Sequence, residues 1–237
     1  METLRQDVAR PLLIAIDGPV GAGKSSISDE VARRLGILHL DTGAMYRAAG
    51  LEALRRKINP HDENTATALV EHTDISVRYD DGAQRTLLNG EDVTDFIRTP
   101  EVGDAASAIS KHAGVRSRLV RAQRELAESM PMLMDGRDIG TVVLKDAPVK
   151  IYLTATPEAR AARRYKQYIE QGQPKPFEEV LAAVNARDAQ DMGRKTDPLR
   201  KADDAVVVDS SDLSFDQTVD AIMELVDSVR AKGDYHV

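Results

Sequence analysis

Residues 12–26, LLIAIDGPVGAGKSS, constrain the fold of this chain more than any other stretch. Positions 12–16 are apolar without a break, as in a strand covered on both faces of a sheet. Gly18, Gly21, Gly23, Lys24 and Ser25 then fall in the order G-x-x-x-x-G-K-[ST] of a phosphate-binding P-loop. A segment so poor in Cβ atoms can curl its backbone N–H groups around a phosphate. The helix expected from about Lys24 aims its positive dipole end at the same point. Gly18, Pro19, Val20, Gly21, Ala22, Gly23, Lys24, Ser25 and Ser26 are therefore the expected cradle for ATP. Lys24 reaches the β- and γ-phosphates, and the Ser25 hydroxyl is placed to ligate Mg²⁺. A glycine turn that merely joined strand to helix would not need this pattern in order.

The chain has 237 residues, enough for one large domain or for a core carrying insertions. It has no Cys, which removes disulfides and thiolate metal sites and agrees with a cytoplasmic location. The opening METLRQDVAR lacks the apolar stretch of a signal peptide, and no apolar run reaches membrane-spanning length. The first ten residues and the last seven carry little pattern, as disordered ends do. A net charge of −7 argues against broad nucleic-acid binding, so a protein that handles phosphates must concentrate its positive charge locally.

Strand and helix patterns alternate along the chain. Ile27, Val31 and Leu35 line one face of the helix after the loop, and Gly36 is a natural stop. Residues 37–40 read as a second strand, and 44–57 as a helix with Met45, Tyr46 and Arg47 in its first turn. Residues 59–98 differ: 75–79 alternate, Asp80-Asp81-Gly82 is a turn, and 85–88 return, a small antiparallel hairpin. Thr99-Pro100 opens the next helix. The helix over about 114–128 buries Val115, Leu119, Ala122 and Leu126, with Arg116, Arg118, Arg121 and Arg124 mostly elsewhere. Further strands follow at 132–135, 149–154 and 205–208, and Ser214-x-x-Gln217 is a capping box for a closing helix. Pro174 and Pro176 break the charged helical segment 156–201 into two arms. The fold class expected is α/β: a doubly wound five-stranded parallel sheet of the P-loop kinase type, with a small antiparallel insertion and a helical lid. The expected division is a core of 11–58, 106–156 and 202–231, an insertion over 59–105 and a lid over 157–201.

In the second arm Phe177, Val180, Leu181 and Val184 form an apolar stripe, and the same spacing continues into Arg187, Asp191 and Arg194. Ions on a buried face must pair with one another or look into a polar cleft. A solvated helix end with an Arg187–Asp191 pair is the alternative, and a lid closing over phosphates accounts for the clustering. Arg160, Arg163 and Arg164 on the first arm can steady charge on a transferring phosphoryl group. Asp135, at a strand end, is either the carboxylate that serves Mg²⁺ through water or a plain turn residue. The five histidines are scattered, without metal-ligand spacing, and are expected at surface or structural positions. No D-x-x-G, N-K-x-D or G-x-S-x-G motif is present, which removes GTPase-switch and serine-hydrolase chemistry.

Together, IAIDGPVGAGKSS, LDTGAMYR, RTPEVGDAASAIS, DGRDIGTVVLKDAPVKIYL and the R-D-x-x-D-x-x-R run over 187–194 resemble the bacterial cytidylate kinases, long-form nucleoside-monophosphate kinases. The matching stretches keep the family's order from residue 12 to about 211, and DGRD followed by G-T-V-V is the distinctive part. The resemblance implies transfer of the ATP γ-phosphoryl group to CMP or dCMP with Mg²⁺, in a monomer whose partners are small nucleotides. It places the acceptor site on Thr42, Tyr46, Arg47, Ser107, Arg116, Arg137, Asp138, Arg187, Asp191 and Arg194. Lys24, Arg137, Arg160, Arg164 and Arg187 are then the expected catalytic cations. Arg47, Arg137 and Arg187 can fork onto the acceptor phosphate. Asp138 can accept from cytosine N4, with Arg116 and Ser107 completing the base edge. Asp191 with Arg194 can hold the ribose or pin a closed lid. The chain departs from the family in reading Asp41-Thr42-Gly43 for Asp-Ser-Gly, and Lys24-Ser25-Ser26 for G-K-G-T, which leaves the Mg²⁺ role open between Ser25 and Ser26. The alternatives are a P-loop kinase for another small acceptor (UMP, AMP or a sugar acid) and a non-catalytic ATP-binding regulatory module.

Overall fold

The computed structural model describes residues 10–233 and 235–236. Strand β1 (Arg10–Pro11) leads into β2 (Leu13–Asp17), the P-loop and helix α1 (Lys24–Leu35). Strand β3 (Leu38–Asp41) runs directly into α2 (Thr42–Arg55). The next stretch holds α3 (Glu63–Glu71) and the antiparallel strands β4 (Ile75–Asp80), β5 (Ala83–Leu88) and β6 (Glu91–Asp92). Helices α4 (Pro100–Ile109) and α5 (Ala113–Ala127) return the chain to β7 (Met132–Gly136), a π-helical turn (Ile139–Val143) and β8 (Val149–Thr154). Helices α6 (Pro157–Glu170) and α7 (Phe177–Met192) precede β9 (Val206–Asp209), α8 (Phe215–Arg230) and β10 (Tyr235–His236).

The expected five strands form one parallel sheet in the order β3-β7-β2-β8-β9. The P-loop strand is central, with Ile16 beside both Asp135 of β7 and Ile151 of β8. Strand order reverses across β2, and in such sheets ligands bind at the carboxyl ends of the strands beside that reversal. Asp17, Asp135 and Asp41 all sit there, at the last positions of β2, β7 and β3 or next to them. One face of the sheet is covered by α1 and α8 through Ile27, Val31, Val219, Ile222 and Val226. On the other, Met45, Ala48 and Ala49 of α2 pack with Ile109, Val115 and Leu119, and Ile75, Leu88, Val93 and Ile97 join the same core. A separate small cluster of Ala161, Val180 and Val184 holds α6 against α7.

Local chemistry sets the element ends where the sequence points to it. Gly36 ends α1 in the left-handed region at φ 69°, where a side chain is disfavoured. Thr99 caps α4, and both bonds of the Ser214–Gln217 capping box start α8. Three features differ from expectation. The hairpin gains a third strand, because Glu91 and Asp92 pair with Leu88 and Leu87. Helix α7 stops at Met192, so Arg194 lies past Gly193 in the following turn rather than on the helical stripe. The described ends are paired, Arg10 with Tyr235 and Pro11 with His236, whereas residues 1–9, 234 and 237 of the expected disordered ends lie outside the described residues. Among the described residues no helix is long and apolar enough to cross a membrane.

Gly18 is the residue that lets the P-loop leave β2 against β8. A Cβ built on it would lie 1.9 Å from the Leu153 carbonyl oxygen, which belongs to a sheet strand and has no room to yield. Gly18→Ala is therefore expected to cost about 3 kcal/mol of folding stability, at the upper end for overpacking, read from urea midpoints. An unchanged midpoint would contradict this packing.

Candidate active site

Gly23, held left-handed at φ 88°, turns the P-loop into α1, and Lys24 is the first helical residue. The Lys24 side chain is buried and its Nζ donates to the Pro19 carbonyl at 2.9 Å. Burial pulls its ammonium down to about 7, and the nearby Arg137 adds to this, against the attraction of Asp135, Asp17 and Asp191. Those four charges surround the lysine. Helix α6 braces the loop from outside: Arg160 donates to the Val20 carbonyl at 3.0 Å and Arg163 to the Ala22 carbonyl at 3.3 Å. Carbonyls held outward leave the loop's N–H groups free to face an anion.

Behind the loop, Ser25 Oγ donates to Asp135 Oδ2 at 3.2 Å, and Thr42 Oγ1 donates to the Asp135 carbonyl at 2.8 Å. The second carboxylate oxygen of Asp135 accepts from His39 Nε2 at 2.8 Å, while His39 Nδ1 meets Asp29 at 2.5 Å. Burial opposes charge on His39, but the two carboxylates outweigh it and lift the imidazole to about 10, so both ring nitrogens donate. Burial likewise opposes the Asp135 carboxylate, and His39, Lys24 and Arg137 together hold its carboxyl below the usual range. Asp17 accepts from the Ile139 and Gly140 N–H groups at 2.7 and 2.8 Å, which ties the P-loop strand to the π-helical turn.

On the facing side, Asp191 is 1% exposed and binds two arginines. Arg137 Nε donates to one of its oxygens at 2.8 Å and Arg187 Nε to the other at 3.3 Å. A second cluster lies beyond it. Arg116, itself 1% exposed, ion-pairs with Asp138, bonds Asp197 at 2.8 Å, and sits over the Tyr46 ring at 5.6 Å. Burial raises the Asp138 carboxyl while Arg116 and Arg194 oppose the rise. Ser107 accepts from Gln190 of α7, and Arg194 donates to the Asp197 carbonyl at 3.1 Å. Arg47 pairs with a different carboxylate, Asp41 Oδ2, at 2.7 Å. Tyr46 Oη, Arg47 Nε and Arg194 Nε are among the buried polar atoms without a hydrogen-bond partner in the protein.

Expected and observed placements differ at several residues. Arg160, expected on the transferring phosphoryl group, spends its guanidinium on the Ala155 and Val20 carbonyls and on Asp188 at 2.6 Å, and so acts as a brace. Arg164 stacks on Tyr168 at 5.7 Å, with its Cδ beside Gly21 of the loop. Arg116 is buried between partners instead of lying off the apolar face of α5. His39 takes one of the structural positions expected of the histidines, buried between Asp29 and Asp135, and Asp197 and Gln190 join the site without any sequence motif to announce them. Ser26 is exposed, whereas Ser25 faces Asp135.

A parallel sheet with a P-loop at its reversal, facing a second cationic cradle, defines a phosphotransferase of the P-loop kinase class. A family model described as Cytidylate kinase matches residues 14–228. The chain is 49% identical over 212 residues to a cytidylate kinase of Caldicellulosiruptor bescii, covering 90% of this chain and 94% of that one. It is 46% identical over 217 residues to a cytidylate kinase of Geobacter sulfurreducens, covering 92% and 93%. The chain belongs to the cytidylate kinase family. Among solved structures, an uncharacterized protein from Eubacterium ventriosum shares the fold at 12% identity with a TM-score of 0.52, over 92% of this chain and 99% of its own.

Burial lifts the Asp17 carboxyl to about 6 from 3.8, against its two backbone hydrogen bonds. The folded state then binds this proton more tightly than the unfolded state between those values, so the Asp17 part of stability falls as pH rises through about 6. Asp17→Asn removes that part. Urea unfolding at about pH 4 and pH 7 should show the wild type losing more stability than the variant as pH rises. Equal pH dependence would contradict a buried, titrating Asp17.

Proposed function

We propose that this protein transfers the γ-phosphoryl group of ATP to CMP or dCMP, giving ADP and CDP or dCDP, as a cytoplasmic, monomeric enzyme of pyrimidine nucleotide metabolism. What supports the proposal is the Arg137–Asp191–Arg187 group near Lys24, read as a second phosphate-binding device next to the P-loop. The P-loop N–H groups and Lys24 hold the donor phosphates, with Arg164 at the loop's outer edge. Arg137, Arg187 and Arg47 hold the acceptor phosphate, and each guanidinium can present two parallel N–H groups to it. Positioning and charge neutralisation dominate phosphoryl transfer, so no strong base is required of the chain.

The base end follows from the buried Arg116–Asp138 pair. Cytosine offers a donor at N4 beside acceptors, which matches a carboxylate next to a guanidinium. Tyr46 closes one side and Ser107, with Gln190, the other. Arg194 and Asp191 are the proposed ribose and lid contacts. Mg²⁺ fits Ser25 Oγ with the Asp135 carboxylate reached through its water, since this ion takes one or two protein oxygens and completes its shell with phosphates and water. When bound it neutralises charge on the β- and γ-phosphates. The core, the insertion over 59–105 and the lid over 157–201 are proposed as working units, with the lid excluding water as it closes.

ADP release from ATP should be fast with CMP and dCMP and slow with UMP and AMP; ATP binding without acceptor-dependent turnover would contradict the proposal. UMP places an acceptor against Asp138, and sites built on buried polar pairing reject such a mismatch. Asp138→Ala is expected to erode the CMP-over-UMP ratio of kcat/KM by about 100-fold; a retained ratio would move base reading elsewhere. Ser25→Ala should raise the Mg²⁺ needed for half-maximal rate by about tenfold. An unchanged Mg²⁺ titration would transfer the role to Ser26.

A further inference from the structure

Strand β3 is an edge of the parallel sheet, and its last residue, Asp41, is where the antiparallel insertion touches it. The contact is made by the side chain of Gln84 on β5. Gln84 Oε1 accepts from the Asp41 N–H at 2.7 Å, and Gln84 Nε2 lies 3.4 Å from the Asp41 carbonyl. One side-chain amide thus does what a neighbouring strand's peptide would do at an open sheet edge. The amide is itself fixed, since Nε2 also donates to Thr86 Oγ1 at 3.3 Å.

Asp41 is the junction between β3 and α2, and its carboxylate is fully engaged. Oδ1 caps α2 on the Ala44 N–H at 3.1 Å. Oδ2 accepts from Arg47 at 2.7 Å and from Arg98 at 3.1 Å. Arg47 in turn keeps a buried Nε without a protein partner. Further along α2 the insertion is stapled twice more, by Asn89 to Glu52 at 3.3 Å and by Glu91 to Arg55 at 2.6 Å. The helix carrying Thr42, Tyr46 and Arg47 is therefore tied to the insertion sheet at both ends.

We infer that Gln84 is a positioning residue for the acceptor nucleotide: by holding the Asp41 backbone at the sheet edge, it fixes the carboxylate that aims Arg47. Without that amide, the Asp41 N–H and carbonyl have no partner at the sheet edge, the junction is held only by the pairing of β3 with β7, and it can rotate. The Arg47 guanidinium then loses its preset direction, and part of the acceptor's binding free energy goes into restoring it. The inference rests on the acceptor phosphate binding at Arg47.

The test is steady-state kinetics on the full chain, varying CMP and ATP separately, for wild type, Gln84→Met, Arg47→Met and the double variant. Gln84→Met keeps side-chain length and removes the amide. It is expected to raise KM for CMP about five- to tenfold while KM for ATP stays within about twofold. In the Arg47→Met background the same change should have no further effect on KM for CMP, because the two act in series. An unchanged KM for CMP in Gln84→Met, or the same increase with and without Arg47, would overturn the inference. Arg47→Met with a wild-type KM for CMP would instead overturn the acceptor placement on which it rests. If Gln84→Met does not fold, Thr86→Val, which removes the hydroxyl that fixes the amide, is measured against the same two outcomes.

Discussion

Asp191 is the group on which the site depends. Three cations, Lys24, Arg137 and Arg187, lie close together in buried surroundings, where desolvation opposes the charge of each and their mutual repulsion adds to it. Burial lowers the Arg187 guanidinium, and Arg137 adds to this, while Asp191 opposes both. Burial also opposes the Asp191 carboxylate, but Arg137 and Arg187 outweigh it and hold its carboxyl below the ordinary range. One carboxylate with an oxygen for each arginine holds the two guanidinium groups side by side with no ligand bound. Geometry set in advance in this way reduces the reorganisation left for the reaction itself.

The same device recurs along the carboxyl edge of the sheet. Asp17, Asp41 and Asp135 end neighbouring strands, and each fixes a different part of the cleft. Asp17 takes two N–H groups of the π-helical turn, so the loop carrying Arg137 and Asp138 is folded from the P-loop strand. Asp135 is shared between Ser25 and His39, which links the start of α1 to the second strand of the expected core. Asp41 caps α2 and holds Arg47. The proposed donor and acceptor sides thus share one row of adjacent strand ends, and the sheet sets the distance between them.

The parts of this arrangement legible in the sequence are those set by neighbours in the chain. The P-loop, the Gly36 stop, the Thr99 cap and the Ser214–Gln217 box each need only a few consecutive residues, and the structure has all of them. Five apolar runs separated by helical patterns were enough to give the sheet. Long-range pairing was not legible. Arg116 sits on a helix full of arginines, and only the distant Asp138 and Asp197 make it the one that is buried. His39 carries no spacing signal because its two carboxylates come from α1 and β7. Arg160 looks like another phosphate ligand until the Val20 and Ala155 carbonyls and Asp188 account for its donors. Arg194 continues a helical spacing that Gly193 ends. The family resemblance supplied the acceptor residues, and the packing shows which of them are held together.

The claim that both substrates meet in one cleft is tested most directly by a bisubstrate ligand, adenosine and cytidine joined through a polyphosphate long enough to span both sites. The structure predicts one molecule bound per chain, competing with ATP and with CMP alike, and tighter than either nucleotide alone. Competition with ATP only, with CMP still binding alongside, would mean that the arginine cradle does not face Lys24 across a shared cleft, and would contradict the account.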